Sequence, residues 1–423
     1  MKRLEYLMSF SSARRAWYWL GAIVLVSGGL SQASAQTSIF DIIPSPSPNG
    51  SGNTLNAVTA RAADDAWAVG FQNDNQLNGA RTLTEHWDGG KWTVVPSPNP
   101  GSTPACQGQN SGNVLNAVAA VSATSVWAVG FSFDCSSDLK PMILHFNGVR
   151  WNVVASPALR TTGNSALNGI VVLAANNIYA AGYQPAANGA VLTLIEHFDG
   201  HAWSVVRTPN ANQTGNVLTS ISANSPADIW AVGNQVAPNT AVLTLALHFD
   251  GAVWSVVPTP NPLTGSTLDQ NVLTSIRAFS ADDVTAVGFI LDFNRQQELT
   301  LVEHWDGAGW TVIESPNVSN GTGALNTLTG VSGASSTDLY AVGFFSNAST
   351  AGQPETLVEH FDGTSWSILS SPTRGLAQHL NGVFALPNSS DVWTVGGSSK
   401  PGIDPETGLL QVPRTLVLFT QIG

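Results

Sequence analysis

The sequence predicts an all-β fold: a seven-bladed β-propeller with four antiparallel strands per blade. Three observations predict it. A strand ending in Ala-Val-Gly or a close variant recurs, as "DAWAVGF" (65–71), "SVWAVGF" (125–131), "NIYAAGY" (177–183), "DIWAVGN" (228–234), "DVTAVGF" (283–289), "DLYAVGF" (338–344) and "DVWTVGG" (391–397). From Gly70 through Gly130, Gly182, Gly233, Gly288 and Gly343 to Gly396, the spacings are 60, 52, 51, 55, 55 and 53 residues. The composition, with 40 Gly, 23 Pro and only 10 % charged residues, is that of a turn-rich β chain. Repeats of four short strands at this period mark propeller blades.

The first strand of each unit is "LNAV" (55–58) or an echo such as "LNGI" or "LTSI". Its third position is Ala57, Ala117, Gly169, Ser220, Ser275, Gly330 or Gly382. All are small, as expected where inner strands converge near an axis and a larger side chain would overpack. The second strand carries the repeated Gly. Asp65, Asp228, Asp283, Asp338 and Asp391 stand just before it, where an Asx-type turn can form. The third strand carries "EHWDG" or a variant. Asp88-Gly89 or Asn147-Gly148 then turns tightly into the fourth, because Gly tolerates positive φ. The fourth begins at a Trp, as in "KWTVVPSP". Each strand is rich in Val, Ile, Leu and aromatics, and a length of four to seven residues is expected. The seventh unit ends at "TLVLFTQIG" without a Trp-bearing strand. The N-terminal "IFDIIPSPSPNG" (39–50) matches "KWTVVPSPNP" from Val94 onward. The N-terminal strand is therefore expected to complete the last blade and remove a sheet edge.

Residues 1–35 read as a signal peptide and 36–423 as the propeller. Lys2, Arg3, Arg14 and Arg15 precede the apolar run "AWYWLGAIVLVSGGL" (16–30), and "ASA" (33–35) offers small residues at the cleavage spacing. The run is short for a membrane span, an uncleaved anchor being the alternative. A secreted or extracytoplasmic location follows. The formal charge of −12 becomes −15 once these four basic residues and Glu5 are removed. Nucleic acid and anionic membranes are thereby excluded as partners. No cofactor and no metal are expected, no membrane span remains after cleavage, and a monomer is expected. Of the two cysteines, Cys106 is in the loop entering the second blade and Cys135 in that blade's second-to-third loop. Both should reach the same face, so a disulfide is expected in the exported chain. It would close a loop of about 30 residues, worth roughly 3–4 kcal/mol.

"DVWTVGG" (391–397) is similar to the second strand of kelch repeats with its glycine doublet, and "VEHFDGTSW" (358–366) to their third strand, turn and fourth-strand Trp. The chain from 38 to 423 thus resembles kelch-type repeats, such as those of the central domain of galactose oxidase. The resemblance implies a propeller and, mostly, binding roles. It implies no copper site: beyond the signal segment the tyrosines are Tyr179, Tyr183 and Tyr340, and none maps onto one.

The histidines His86, His145, His197, His248, His304 and His360 repeat with the third strand, so they read as structural hydrogen-bonding groups. Phe419 in the seventh copy would not suit a ligand set. Neighbouring copies on separate blades would lie more than about 10 Å apart, against a Zn–N bond of about 2 Å. The Trp residues likewise fall in repeat slots. What varies is the long-loop face, formed by the loops joining strands two and three and those joining one blade to the next. Asn53, Asn113, Asn216, Asn271 and Asn326 ring its mouth before the first strand. They are expected to cap loop backbone or to meet a polar ligand. Phe71, Phe131, Tyr183, Phe289 and Phe344 leave the second strand, packing between blades or forming an apolar rim. His379 stands near the mouth outside the repeated slot. The charged loop "LDFNRQQE" (291–298) carries Asp292 and Glu298, with Asp269 and Glu314 in flanking loops. Paired carboxylates could do acid/base work.

The leading reading is an exported, non-catalytic binding module whose ligand, protein or glycan, sits on the long-loop face. The alternative is a secreted glycoside hydrolase or lyase using Asp269, Asp292 and Glu298.

Overall fold

The structure is a computed structural model that describes residues 39–48, 52–74, 79–102, 111–135, 138–159, 161–238, 240–401 and 411–420. The expected signal segment and Cys106 lie outside the described residues. No described cysteine is free. Among the described residues no helix is long and apolar enough to cross a membrane. Apart from a 3₁₀ turn at Ala348–Thr350, the regular elements described are strands.

After β1 (Asp41–Ile42), the strands fall into antiparallel groups of four. The first group is β2 (Asn53–Ala62), β3 (Asp65–Asp74), β4 (Gly79–Trp87) and β5 (Trp92–Val94). The next is β6 (Gly112–Ser122), β7 (Ser125–Phe133), β8 (Lys140–Phe146) and β9 (Trp151–Val154). Then come β10 (Ala166–Ala174), β11 (Asn177–Pro185), β12 (Val191–Phe198) and β13 (Trp203–Val206). β14 (Gly215–Ser225), β15 (Asp228–Val236), β16 (Val242–Phe249) and β17 (Trp254–Val257) follow. So do β18 (Gln270–Ser280), β19 (Asp283–Asp292), β20 (Gln297–Trp305) and β21 (Trp310–Ile313). β22 (Leu325–Ser335), β23 (Asp338–Ser346), β24 (Glu355–Phe361) and β25 (Trp366–Ile368) form another. The final group joins the two ends of the chain: β26 (Leu376–Ala385), β27 (Val392–Pro401), β28 (Gln411–Thr420) and then β1. Asp41 lies opposite Phe419 and Ile42 opposite Leu418, as the match of 39–50 to a fourth strand predicts.

The first strands run nine to eleven residues, longer than expected. Pairing continues past the short apolar motif because a bulge absorbs the extra twist. The register slips between Leu55 and Ala57, and at the equivalent place in every first strand, down to Leu380 and Gly382. The slip draws the first strand's backbone against the second. A Cβ on Gly70 would lie 2.0 Å from the Thr54 carbonyl oxygen, and one on Gly233 2.0 Å from that of Val217. The recurrent Gly of the Ala-Val-Gly motif is thus a demand for space. Position three is small for a similar reason: a Cβ on Gly382 would stand 3.0 Å from Ala57 Cα of the first group.

The Asp residues before the second strand serve differently from expectation. Asp65, Asp228, Asp283 and Asp338 pair with the third-strand histidines, at 2.9 Å to His86, 2.8 Å to His248, 3.0 Å to His304 and 2.7 Å to His360. Ser125 and Asn177 take the same place beside His145 and His197. Five of the imidazoles also lie against a second-strand aromatic, as His248 does on Trp230 with centroids 4.2 Å apart, whereas His304 stands opposite Thr285. Phe419 replaces the imidazole in the last group and packs on Trp393 at 4.2 Å. The repeated histidines are structural.

At the tight turns, Asp88 Oδ1 accepts from the N–H of Gly90 and Lys91, and Gly89 has φ 88°. Those backbone bonds hold the Asp88 carboxyl below the usual carboxylate range.

The core lies between adjacent groups. Trp230, Val232 and Ala246 of the fourth pack with Leu273, Ile276 and Trp310 of the fifth. Leu55, Ala68 and Leu83 of the first pack with Trp393, Val395 and Val417 of the last.

Candidate functional site

The first strands of all the groups face a common cavity of about 870 Å³. Its wall is lined by the bulge residues. Each bulge residue reaches out of its own sheet to a backbone carbonyl of the next. Asn56 Nδ2 donates to Leu115 O at 2.8 Å, Asn116 to Leu167 O at 3.0 Å and Asn168 to Leu218 O at 2.8 Å. The hydroxyls of Thr219, Thr274 and Thr329 donate to Leu273 O at 2.8 Å, Leu328 O at 2.7 Å and Leu380 O at 2.8 Å. Asn381 Nδ2 then donates to Leu55 O at 2.8 Å, which returns the series to its start. Sequence reading missed these residues. Their signal was there: the second position of "LNAV" and "LTSI" is always Asn or Thr.

Where third strands begin, they meet the next group's first strand in parallel, at Ala80 with Gly112, Val191 with Gly215 and Val242 with Gln270. Both sets of long loops therefore start from the same edge, as predicted. The mouth asparagines bind those loops. Asn113, Asn216, Asn271 and Asn326 are fully buried. Asn271 Oδ1 accepts from Leu263 N–H at 3.1 Å, and its amide donates to Leu263 O at 2.7 Å. Asn326 does the same with Val318 N–H and Ser319 O. Asn53 is buried beside them. These side chains hold the loops in place and do not line the cavity.

The carboxylates are committed to the same task. Asp269 is buried; its Oδ1 accepts from Phe293 N–H at 3.1 Å and its Oδ2 from Ser266 N–H at 2.7 Å. This fastens the loop before β18 to the 291–298 loop. Asp292 Oδ1 accepts from Arg295 N–H at 2.9 Å, and its Oδ2 lies 3.4 Å from the Arg295 guanidinium. Glu298 accepts from the Thr327 hydroxyl, and burial pushes its carboxyl up to about 7. The structure thus brings Asp269 against the charged loop while spending Asp269 and Asp292 on loop hydrogen bonds and Glu298 on a strand-to-strand one.

The aromatic slot divides. Phe131, Tyr183 and Phe289 are buried, Phe71 and Phe344 partly so. Tyr183 and Phe289 line the cavity. His379 fills the space at Gly397, where a Cβ would lie 2.9 Å from its Cε1.

The cavity widens off-centre at the mouth, over the third to fifth groups. Its walls there are aliphatic and aromatic: Val217, Val242, Val272, Leu291 and the exposed Leu268 and Phe293. Two buried polar atoms on this lining have no partner, the Tyr183 hydroxyl and Gln270 Oε1. Burial pushes the Tyr183 phenol up to about 12, so it stays a neutral donor. Thr240, also in the lining, holds a φ of 76°, unusual for a β-branched residue.

No protein-family model matches the chain, and no curated protein does. Solved structures are similar. One, described as YCF48 bound to D1 peptide, superposes with a TM-score of 0.52 at 12 % identity, covering 93 % of this chain and 100 % of that one. Another, the SapL1 lectin in complex with alpha methyl fucoside, gives a TM-score of 0.43 at 12 % identity over 76 % of this chain and 97 % of that one, too loose a likeness to carry an argument. At this identity the first likeness establishes an all-β, propeller-like fold and nothing of function.

Proposed function

We propose that the chain is a closed, seven-bladed β-propeller exported from the cytoplasm, acting as a non-catalytic binding module. The series of bulge-residue hydrogen bonds that returns to its start supports the closed ring. The observation that carries the binding role is the wide mouth of the cavity. There, the buried Tyr183 hydroxyl and Gln270 Oε1, without partners, stand among apolar side chains such as Val217, Val242 and Val272, and such convergence is how ligand pockets are built. The ligand is a protein or a glycan, met on the long-loop face. The neighbour whose printed description names a bound peptide is compatible with this reading. Export is supported by the basic and apolar N-terminus with its small-residue cleavage site. A Cys106–Cys135 disulfide is part of the same proposal, supported by the absence of a free cysteine among the described residues.

The test is direct. Exported protein, its N-terminus sequenced to locate cleavage after residue 35, is applied to linear-peptide and glycan arrays. Saturable binding on either array is expected. Release of cleaved polysaccharide without stable binding would instead favour hydrolase or lyase chemistry at Asp269, Asp292 and Glu298.

A further inference from the structure

The slot leaving each second strand holds Phe71, Phe131, Tyr183, Phe289 and Phe344, and it is broken twice, at Asn234 and at Gly397. At Gly397 the missing volume is occupied by the His379 imidazole. At Asn234 it is not. Asn234 lies in register between Val217 and Thr244 and faces the cavity. The flanking slots, Tyr183 and Phe289, become the walls of the gap. Two apolar clusters end there, one holding Phe131, Tyr183 and Val191, the other Val242, Val272 and Phe289. The off-centre widening of the mouth is therefore a departure from the repeat.

We propose that this gap is a pocket for an uncharged, apolar side chain presented by a polypeptide segment, a specification that rests on the binding-module reading above. Among the described residues the lining contains no Lys, Arg or His, and its one acid there, Asp269, is already bonded within the loops. A carboxylate or phosphate group would find no cation there. A sugar would set hydroxyls against Val217, Val272, Leu291 and Phe293, at the cost of their hydration. A polypeptide supplies an apolar side chain for the walls. Its backbone adds an N–H for Gln270 Oε1 and a carbonyl for the Tyr183 hydroxyl.

The experiment uses the exported chain, a peptide array with the central residue varied, and a glycan array. Two variants are compared: Asn234→Phe, which restores the repeat's aromatic, and Leu268→Ala/Phe293→Ala at the exposed lip. Circular dichroism and Tm establish that each variant is folded. Peptides with Leu, Ile or Phe at the centre are expected to bind best. Asn234→Phe should weaken them at least tenfold, and the lip variant several-fold. A folded Asn234→Phe variant that binds the same peptides equally well overturns the pocket while leaving the binding module standing. Hits on glycans alone overturn the occupant. Silence on both arrays overturns the module reading. The neutral probe N-phenyl-1-naphthylamine, read by fluorescence, then decides the pocket separately: enhancement with wild type but not Asn234→Phe upholds an apolar pocket there, and equal enhancement sinks it.

Discussion

Glu303 is buried between neighbouring groups with both carboxylate oxygens unpartnered, and burial pushes its carboxyl up to about 8. Glu85, Glu196 and Glu359 share its slot and stand at about 8, 7 and 8, each lowered somewhat by a serine hydroxyl, from Ser45, Ser156 and Ser315. These pKa values are raised above the ordinary carboxyl value of 4.5, so the folded state holds protons that the unfolded state releases. Their contribution is full below about pH 4.5 and is lost as pH rises through 8. Stability should therefore fall between pH 5 and 8.5, by on the order of 3 kcal/mol for Glu303 alone. The slot holds Leu144, Leu247 and Leu418 elsewhere, so Glu303→Leu fits the repeat. Urea melts of this variant should show a flatter pH dependence and higher stability at pH 8.5. An unchanged slope would mean that Glu303 is ionised and solvated in the fold. The slot itself is legible in "EHW". Its protonation is not, because the desolvating wall comes from a neighbouring group some 50 residues away in sequence.

At the scale of the element, the first strand shows most clearly what the sequence conveys and what it hides. Its apolar positions, its small third residue and the Gly opposite are all readable as a strand pair under crowding. The bulge is not, since "LNAV" reads as plain alternation. Only the strand register reveals that position two is extruded to hydrogen-bond the next sheet. The same hidden geometry reassigned Asp65, Asp228, Asp283 and Asp338 from local turns to histidine partners. Thr219→Val should cost about 1–2 kcal/mol by stranding Leu273 O, whereas Thr219→Asn should stay near wild type because Asn fills that place in other groups. Equal losses for the two would show that the slot needs Thr for reasons of packing alone. Gly233→Ala is a harsher test. Its Cβ would stand 2.0 Å from Val217 O, and a loss of about 3 kcal/mol or more is expected in thermal melts.

At the scale of the whole molecule, one seam decides whether the ring is shut. Between the last group and the first run the Asn381 bond to Leu55 O, the edge-on contact of Trp92 with Trp393 at 5.3 Å, and the Ser45 hydroxyl on Glu85. Ser45 belongs to the segment that follows β1, so the N-terminal strand both completes the last sheet and reaches across the seam. Phe40, 2 % exposed, anchors it among Tyr340, Leu380 and Leu416. Removing residues 36–48 from the exported chain would strip β28 of its partner, expose an apolar edge and release Glu85 from its hydroxyl. Tm should fall, and association should rise through the bare edge. A synthetic peptide of residues 36–50, added in trans, should restore Tm saturably, by about 2.7 kcal/mol at a hundredfold excess over its Kd. A peptide carrying Phe40→Asp should not. If the shortened chain melts at the wild-type temperature, or if the Asp peptide rescues equally, the N-terminal strand is an ornament and the circle is held by the inner strands alone.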